Sequence, residues 1–299
     1  TLVDRENKNV LLDSGTSINY DQLVVATGSL HSYFGNDEWS NYSKGLKGIN
    51  DALVIRENLL KAFEKAENET DQEIKQEFLN FVVIGGGPTG VEMAGSIAEI
   101  AYKTLNKEFN NFNSEDPNVY LIEANDKLLP MFSKKLSDKA EQYLNDFGVK
   151  VLKNEKVTNV NHSNVETDKR TIKSRNIIWA AGNTASSLIE KLNTITDDSG
   201  RAIVDPDCSL KDDPDVFVIG DASNHKDTSN TPLPGIAPVA MQQGKYVGKI
   251  IKNKILKMDR KPFKFSDKGM MATVGKYKAI GKIGNIEVSG FIAWVFWSV

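Results

Sequence analysis

The sequence predicts an α/β fold with parallel sheets, and three observations carry that expectation. Short, wholly apolar strands alternate with helical patterns. Two strands run directly into Ala-x-Gly turns. One stretch, "FVVIGGGPTGVEMAG" (81–95), joins a buried strand, a glycine turn and a helix start without a break. In chain order, residues 1–28 alternate turn residues with short apolar runs, "NVLLD" and "LVVATG", and residues 29–50 are loop-rich. From Asp51 to about Phe78 the pattern is helical, with Leu53, Leu59, Leu60, Phe63 and Ala66 as its apolar positions. A strand over Phe81–Ile84 follows. The next helix places Val91, Ala94, Ala98, Ala101 and Leu105 at alternating spacings of three and four, one apolar stripe. "NVYLIEAN" is a second strand ending on Glu123, and Ser137–Phe147 reads as a helix. A strand meander runs from Gly148 past Val165 and Ile172. "NIIWAAG" and "DVFVIGDA" are buried strands, Ile236–Ile255 is helical, and residues 270–289 return to short strands.

Composition narrows the function. With 299 residues, 40% hydrophobic, the chain is long enough for two cores, and a net charge of −3 with dispersed Lys and Arg argues against nucleic acid as a partner. A single cysteine, Cys208, forbids an internal disulfide and favours a reducing compartment. His31, His162 and His225 lie far apart in sequence, so no transition-metal site is expected. Both ends read as though the chain continues. It opens into a strand and closes within the apolar run "SGFIAWVFWSV", about half of the ~18–20 residues a membrane-spanning helix needs.

Gly85, Gly87 and Gly90 match G-x-G-x-x-G in its diagnostic setting, a strand before and a helix after. Gly85 permits the tight turn, Gly87 lets backbone approach a pyrophosphate, and Gly90 allows close helix–strand packing. The free N–H groups at the helix start favour the negative charge. No Gly-Lys-Ser/Thr follows, so this is not a P-loop. Glu123 can accept hydrogen bonds from an adenosine ribose and would repel a 2′-phosphate, which favours NADH over NADPH. Its long spacing from Gly90 is attributed to a polar extension, "LNKEFNNFNSEDPN". Glu92, in the first helical turn, either stabilises the helix N-terminus or orients the nicotinamide end; the sequence leaves both open.

"LVVATG" (23–28) and "IIWAAG" (177–182) echo each other, and Asp221 follows Gly220 at the end of "DVFVIGDA". Asp221 serves as a turn residue or, with Thr27 and Gly28, as part of a second nucleotide site built from distant segments. On that reading the GGGPTG unit is inserted into an earlier nucleotide-binding domain whose own glycine loop lies ahead of Thr1. The 299-residue chain alone is then expected to hold that second nucleotide poorly.

These residues resemble the flavoproteins with two dinucleotide-binding domains, and more narrowly the type II NADH:quinone oxidoreductases. The resemblance rests on "VVATGSLHSYFGNDEW", the GGGPTG segment, "IIWAAG", "VFVIGDA", "PLPGIAPVAMQQGKYV" and the terminal aromatic run. It implies two Rossmann-like dinucleotide-binding domains, the NADH domain inserted in the FAD domain, plus a small C-terminal α+β region. The expected boundaries are 1–50 and 191–256 for FAD, 51–190 for NADH, and 257–299 for a membrane-facing region. Thr27, Gly28, Gly220 and Asp221 would line FAD; Gly85, Gly87, Gly90 and Glu123 would hold NADH, with Ala181 and Gly182 beside the dinucleotide. Glu92 matches the family acid near nicotinamide and flavin. The quinone-side helix often reads A-Q-x-A-x-Q; here Pro238 replaces the first glutamine, Gln242 matches the second and Gln243 follows. The implied activity is non-pumping electron transfer from NADH through FAD to a quinone. The implied protein sits peripherally on the cytoplasmic face of the membrane through Phe291, Trp294, Phe296 and Trp297, and could form a homodimer. Two rivals share the motifs: a redox sensor similar to apoptosis-inducing-factor-like proteins, and an NADH reductase of a soluble electron carrier. Cys208 alone cannot form a redox-active pair, which sets the chain apart from disulfide reductases.

Overall fold

The computed structural model describes residues 1–104, 109–113, 115–256 and 259–298. Chain contacts divide it into two units, one of Thr1–Leu30 with Asn183–Asp267, the other of His31–Gly182 with Lys268–Val299. The helices are α1 (Ile49–Asn68), α2 (Gln72–Leu79), α3 (Pro88–Glu99), α4 (Lys134–Asp146), α5 (Ala237–Ile255) and α6 (Phe291–Ser298).

The His31–Gly182 unit is built on a five-stranded parallel sheet. Its strands lie in the order Ser43–Gly45, Asn176–Trp179, Asn80–Ile84, Asn118–Glu123, Val149–Lys153. Asn80–Ile84 is buried at every position because the sheet is covered on both faces. Alternate residues then serve different cores. Phe81 and Val83 pack with α1, α3 and α4, while Val82 and Ile84 pack with Trp39, Trp179 and the meander residues Val160, Val165 and Ile172. The stripe Val91, Ala94, Ala98 and Ala101 faces the first core as its spacing requires; Leu105 lies outside the described residues.

Four departures from the sequence reading have local causes. The helix expected over 51–78 is two helices, because the Asp71 carboxylate accepts hydrogen bonds from the Glu73 and Ile74 N–H groups and starts α2 afresh. The extension before Asn118 is not merely polar: Phe109 and Phe112 stack on each other and on buried Phe63. The division near residue 30 precedes the expected boundary at 50, since Ser43–Gly45 is an edge strand of the parallel sheet and Trp39 lies against Trp179. The C-terminal strands Met270–Thr273, Ala279–Ile283 and Ile286–Gly290 contribute Ala272 and Ile280 to the core under α3, so this region groups with the parallel-sheet unit.

In the other unit, Leu23–Val25 pairs in parallel with Asp213–Val218, in register Leu23 to Val216 and Val25 to Val218. Its core joins Val25, Val216 and Val218 to Ile189, Leu192 and Ala202. α5 packs Val247 and Ile250 against Phe217 and Phe263.

Phe63 is fully buried, with its ring centroid 5.2 Å from that of Phe81. Phe63→Ala is expected to cost about 3–5 kcal/mol, read as a lower urea midpoint at unchanged slope.

Candidate dinucleotide-binding sites

The glycine turn is fixed by packing on both sides. Gly85 donates to the Ile122 carbonyl at 2.8 Å and has φ +110, a backbone conformation open to glycine and strained for other residues. A β-carbon there would lie 2.8 Å from the Ala180 backbone. At Gly90 it would stand 1.8 Å from the Gly85 carbonyl oxygen, so only glycine lets α3 come this close to the strand end. Gly87 differs. It caps α3 in an extended conformation, and a β-carbon would meet nothing within 4 Å. Its backbone borders open space at the start of a helix whose first residue is Pro88.

The neighbouring parallel strands bring the other expected NADH residues to this end of the sheet. Ala181 and Gly182 follow Asn176–Trp179, and Gly182 has φ +72, with a β-carbon site blocked by Phe34 and the Ser32 carbonyl. Glu123 ends the strand on the other side. Its Oε2 accepts from the Gly86 N–H at 2.7 Å, and its Oε1 accepts from the Asn125 backbone and side-chain N–H groups at 2.8 and 2.6 Å. The carboxylate is therefore a buried clamp on the turn as well as an acceptor at its edge. Glu92 is half-buried on α3, where its Oε1 accepts from the Thr273 hydroxyl at 3.0 Å.

In the other unit, parallel pairing places Thr27 and Gly28 beside Gly220 and Asp221 at the carboxyl ends of adjacent strands, although the two pairs are remote in sequence. Gly28 and Gly220 have φ +66 and +69. A β-carbon at Gly28 would meet nothing within 4 Å, and Asp221 accepts from the Ser29 hydroxyl at 3.2 Å. Open glycine backbone beside a carboxylate at a parallel-strand end suits the hydroxyls and phosphates of a nucleotide.

The α5 residues divide. Pro238 is exposed in the first turn of the helix, where no intrahelical N–H is lost. Gln242 uses both ends of its amide on Ser266, donating to its carbonyl and accepting from its N–H at 2.9 Å each. Gln243 is buried, and its Oε1 accepts from the Gly220 N–H at 2.7 Å, so the side chain expected at a quinone contact points inward and steadies the Gly220–Asp221 turn. The partners Ser29, Asn125, Ser266 and Thr273 were not foreseen from sequence. Asn125 alone left a trace there, two residues after a strand-end acid.

Cys208 is fully buried, and burial pushes its thiol up to about 12. It lacks both a partner cysteine and the thiolate that exchange chemistry requires.

The family model for pyridine nucleotide-disulphide oxidoreductases matches residues 1–244, and the chain belongs to that family. Its homologues include type II NADH:quinone oxidoreductases. The Mycobacterium tuberculosis protein Ndh is 40% identical over 292 residues, 94% of this chain and 62% of that protein. The Staphylococcus haemolyticus type II NADH:quinone oxidoreductase is 31% identical over 300 residues, 97% of this chain and 72% of that one. The solved structure of NDH2 from Plasmodium falciparum in complex with NADH shares the fold, with TM-score 0.88 at 21% identity, over 99% of this chain and 77% of that one. The chain thus spans a little under two thirds of the mycobacterial relative.

Gly90→Ala is expected to lower stability by about 3 kcal/mol or more, because backbone must move. Gly87→Ala, with space for its methyl, should stay within about 0.5 kcal/mol of the parent; thermal melts compare the two. Cys208 should resist iodoacetamide at pH 8 in the folded protein and react once unfolded, as read by mass spectrometry. With a folded-state pKa near 12 against an ordinary 9, its thiol subtracts stability only as pH rises from 9 towards 12, where the unfolded chain loses the proton first.

Proposed function

We propose that the chain carries the nucleotide-binding parts of an enzyme that passes electrons from NADH to a membrane quinone without pumping protons. The observation that carries the reading is the turn Gly85–Gly90, where open backbone at Gly87 heads α3 between Glu123 on one flank and Ala181–Gly182 on the other. The relatives named for this reaction support the same direction.

On this reading NADH lies across Gly85, Gly87 and Gly90, with its ribose towards Glu123 and its nicotinamide end towards Ala181, Gly182 and Glu92. Glu92 is kept in place by Thr273 and contributes negative charge beside the reacting ring. Thr27, Gly28, Gly220 and Asp221 hold FAD, with Gln243 fixing the Gly220 turn. FAD, when bound, supplies the electron relay between the two substrates. Buried Cys208 takes no part, so electrons leave for an acceptor other than a protein disulfide. Gln242 and exposed Pro238 on α5 form the quinone side; the amide of Gln242, tied to Ser266, acts through a fixed orientation.

Membrane contact falls to α6. Phe291, Ile292, Phe296 and Trp297 are 60%, 65%, 59% and 51% exposed, while Ala293 is buried. No helix among the described residues is long and apolar enough to cross a bilayer, so α6 would lie in the interface at the cytoplasmic face, with its tryptophans at headgroup depth.

In the protein extended at both ends, with FAD bound and oxygen excluded, NADH should bleach the flavin absorbance, and quinone in lipid vesicles should restore it within the turnover time. Gly87→Ala should weaken NADH binding at least about tenfold while its melting temperature holds, because the methyl occupies the line of phosphate approach. Bleaching without recovery on quinone would sink the quinone assignment. Unchanged NADH affinity in Gly87→Ala would sink the placement of the dinucleotide.

A further inference from the structure

A cavity of about 280 Å³ opens in the parallel-sheet unit at the edge strand Ser43–Gly45, between α1 and the sheet. It sits by Phe81, at the beginning of the strand Asn80–Ile84, whereas the glycine turn follows the end of that strand. None of the residues described above as nucleotide-binding lines it.

Its chemistry is two-sided. The inner wall is apolar, made by Ile55 and Leu59 of α1 together with Phe78, Phe81 and Ile178. The rim carries four cations, Lys44, Lys61, Lys65 and Arg175, and no lining residue is acidic. Two of the four have carboxylate partners, Lys61 with Glu57 at 2.5 Å and Arg175 with Glu77 at 2.8 Å. Among the described residues Lys44 and Lys65 have none. The Lys65 ammonium lies 5.5 Å and the Arg175 guanidinium 5.0 Å from the centre of the Phe78 ring. Positive charge is thus held against the same aromatic surface that lines the cavity.

We propose that this cavity is a binding site for a monoanionic amphiphile, a medium-chain carboxylate whose tail enters against Leu59 and Phe81 and whose head meets Lys44 and Lys65. Volume and charge each narrow the ligand. A cavity just below the ~300–1,000 Å³ range of small-molecule sites accommodates one short apolar body and is too small for a dinucleotide. Unpaired ammonium groups above an apolar wall favour a charged head over a neutral one, since a charge-assisted contact is stronger than a neutral hydrogen bond. Because no residue of Gly85–Gly90 lines the site, the ligand does not compete with NADH for that turn.

Decanoate, below its micellar concentration, is the probe, and isothermal titration of the 299-residue protein the measurement. One saturable site is expected, with decanol binding at least about tenfold more weakly. Lys44→Gln combined with Lys65→Gln, both on exposed side chains, should weaken decanoate about tenfold. Asn58→Trp, at an exposed α1 position on the rim, should close the mouth, abolish the heat of binding and remove the decanoate-induced rise in melting temperature. Non-saturating heats, equal affinity for decanol, or undiminished binding in Asn58→Trp would overturn the proposal, the last by assigning decanoate to another apolar surface such as α6. Should Asn58→Trp fail to give the parent circular dichroism, the lysine pair decides: unchanged affinity there overturns the site.

Discussion

The parallel-sheet unit depends on how closely the first turn of α3 can approach the end of the strand before it. That distance is set by the absence of one carbon atom, at Gly90, over the Gly85 carbonyl. Because the approach is close, Val91 and Ala94 reach the sheet, and a stripe of small residues suffices to fill the space between helix and strands. The same approach leaves Gly87 at the lip of the turn with its backbone open. One steric allowance therefore serves both the core beneath the helix and the surface above it.

The sheet is also a partition. Side chains of one strand alternate between a helical core and a core formed with a strand meander and two tryptophans. Burial on both faces explains the unbroken apolar run of Phe81–Ile84. The carboxyl ends gather glycines and Glu123; on the edge-strand side of the sheet, Lys44 and Arg175 border the amphipathic cavity. The two kinds of chemistry thus share one sheet without sharing a lining residue.

Much of this was legible in the sequence because it is local. Strand, glycine turn and helix start follow one another from Phe81 to Gly95, and both Ala-x-Gly turns carry a glycine with positive φ. The long-range partners were not legible. Nothing near Glu92 announces Thr273, and nothing near Gly220 announces that its N–H donates to the buried amide of Gln243. These pairings arise from tertiary packing, which no periodicity encodes. Asp71 stands between the two helical stretches that were read as one, and a capping residue there was available to be noticed. Phe109 and Phe112 were obscured by the polar residues around them.

The double engagement of Glu123 bears on coenzyme choice. A redesign towards a 2′-phosphorylated coenzyme would begin by removing this acid. In this protein the same oxygen holds the Gly86 N–H inside a buried turn, and a shorter neutral residue would strand that donor at a cost of about 1–3 kcal/mol. On the proposed placement of NADH, discrimination between the two coenzymes and the integrity of the turn would therefore be inherited together. Another acceptor for the Gly86 N–H would separate the two.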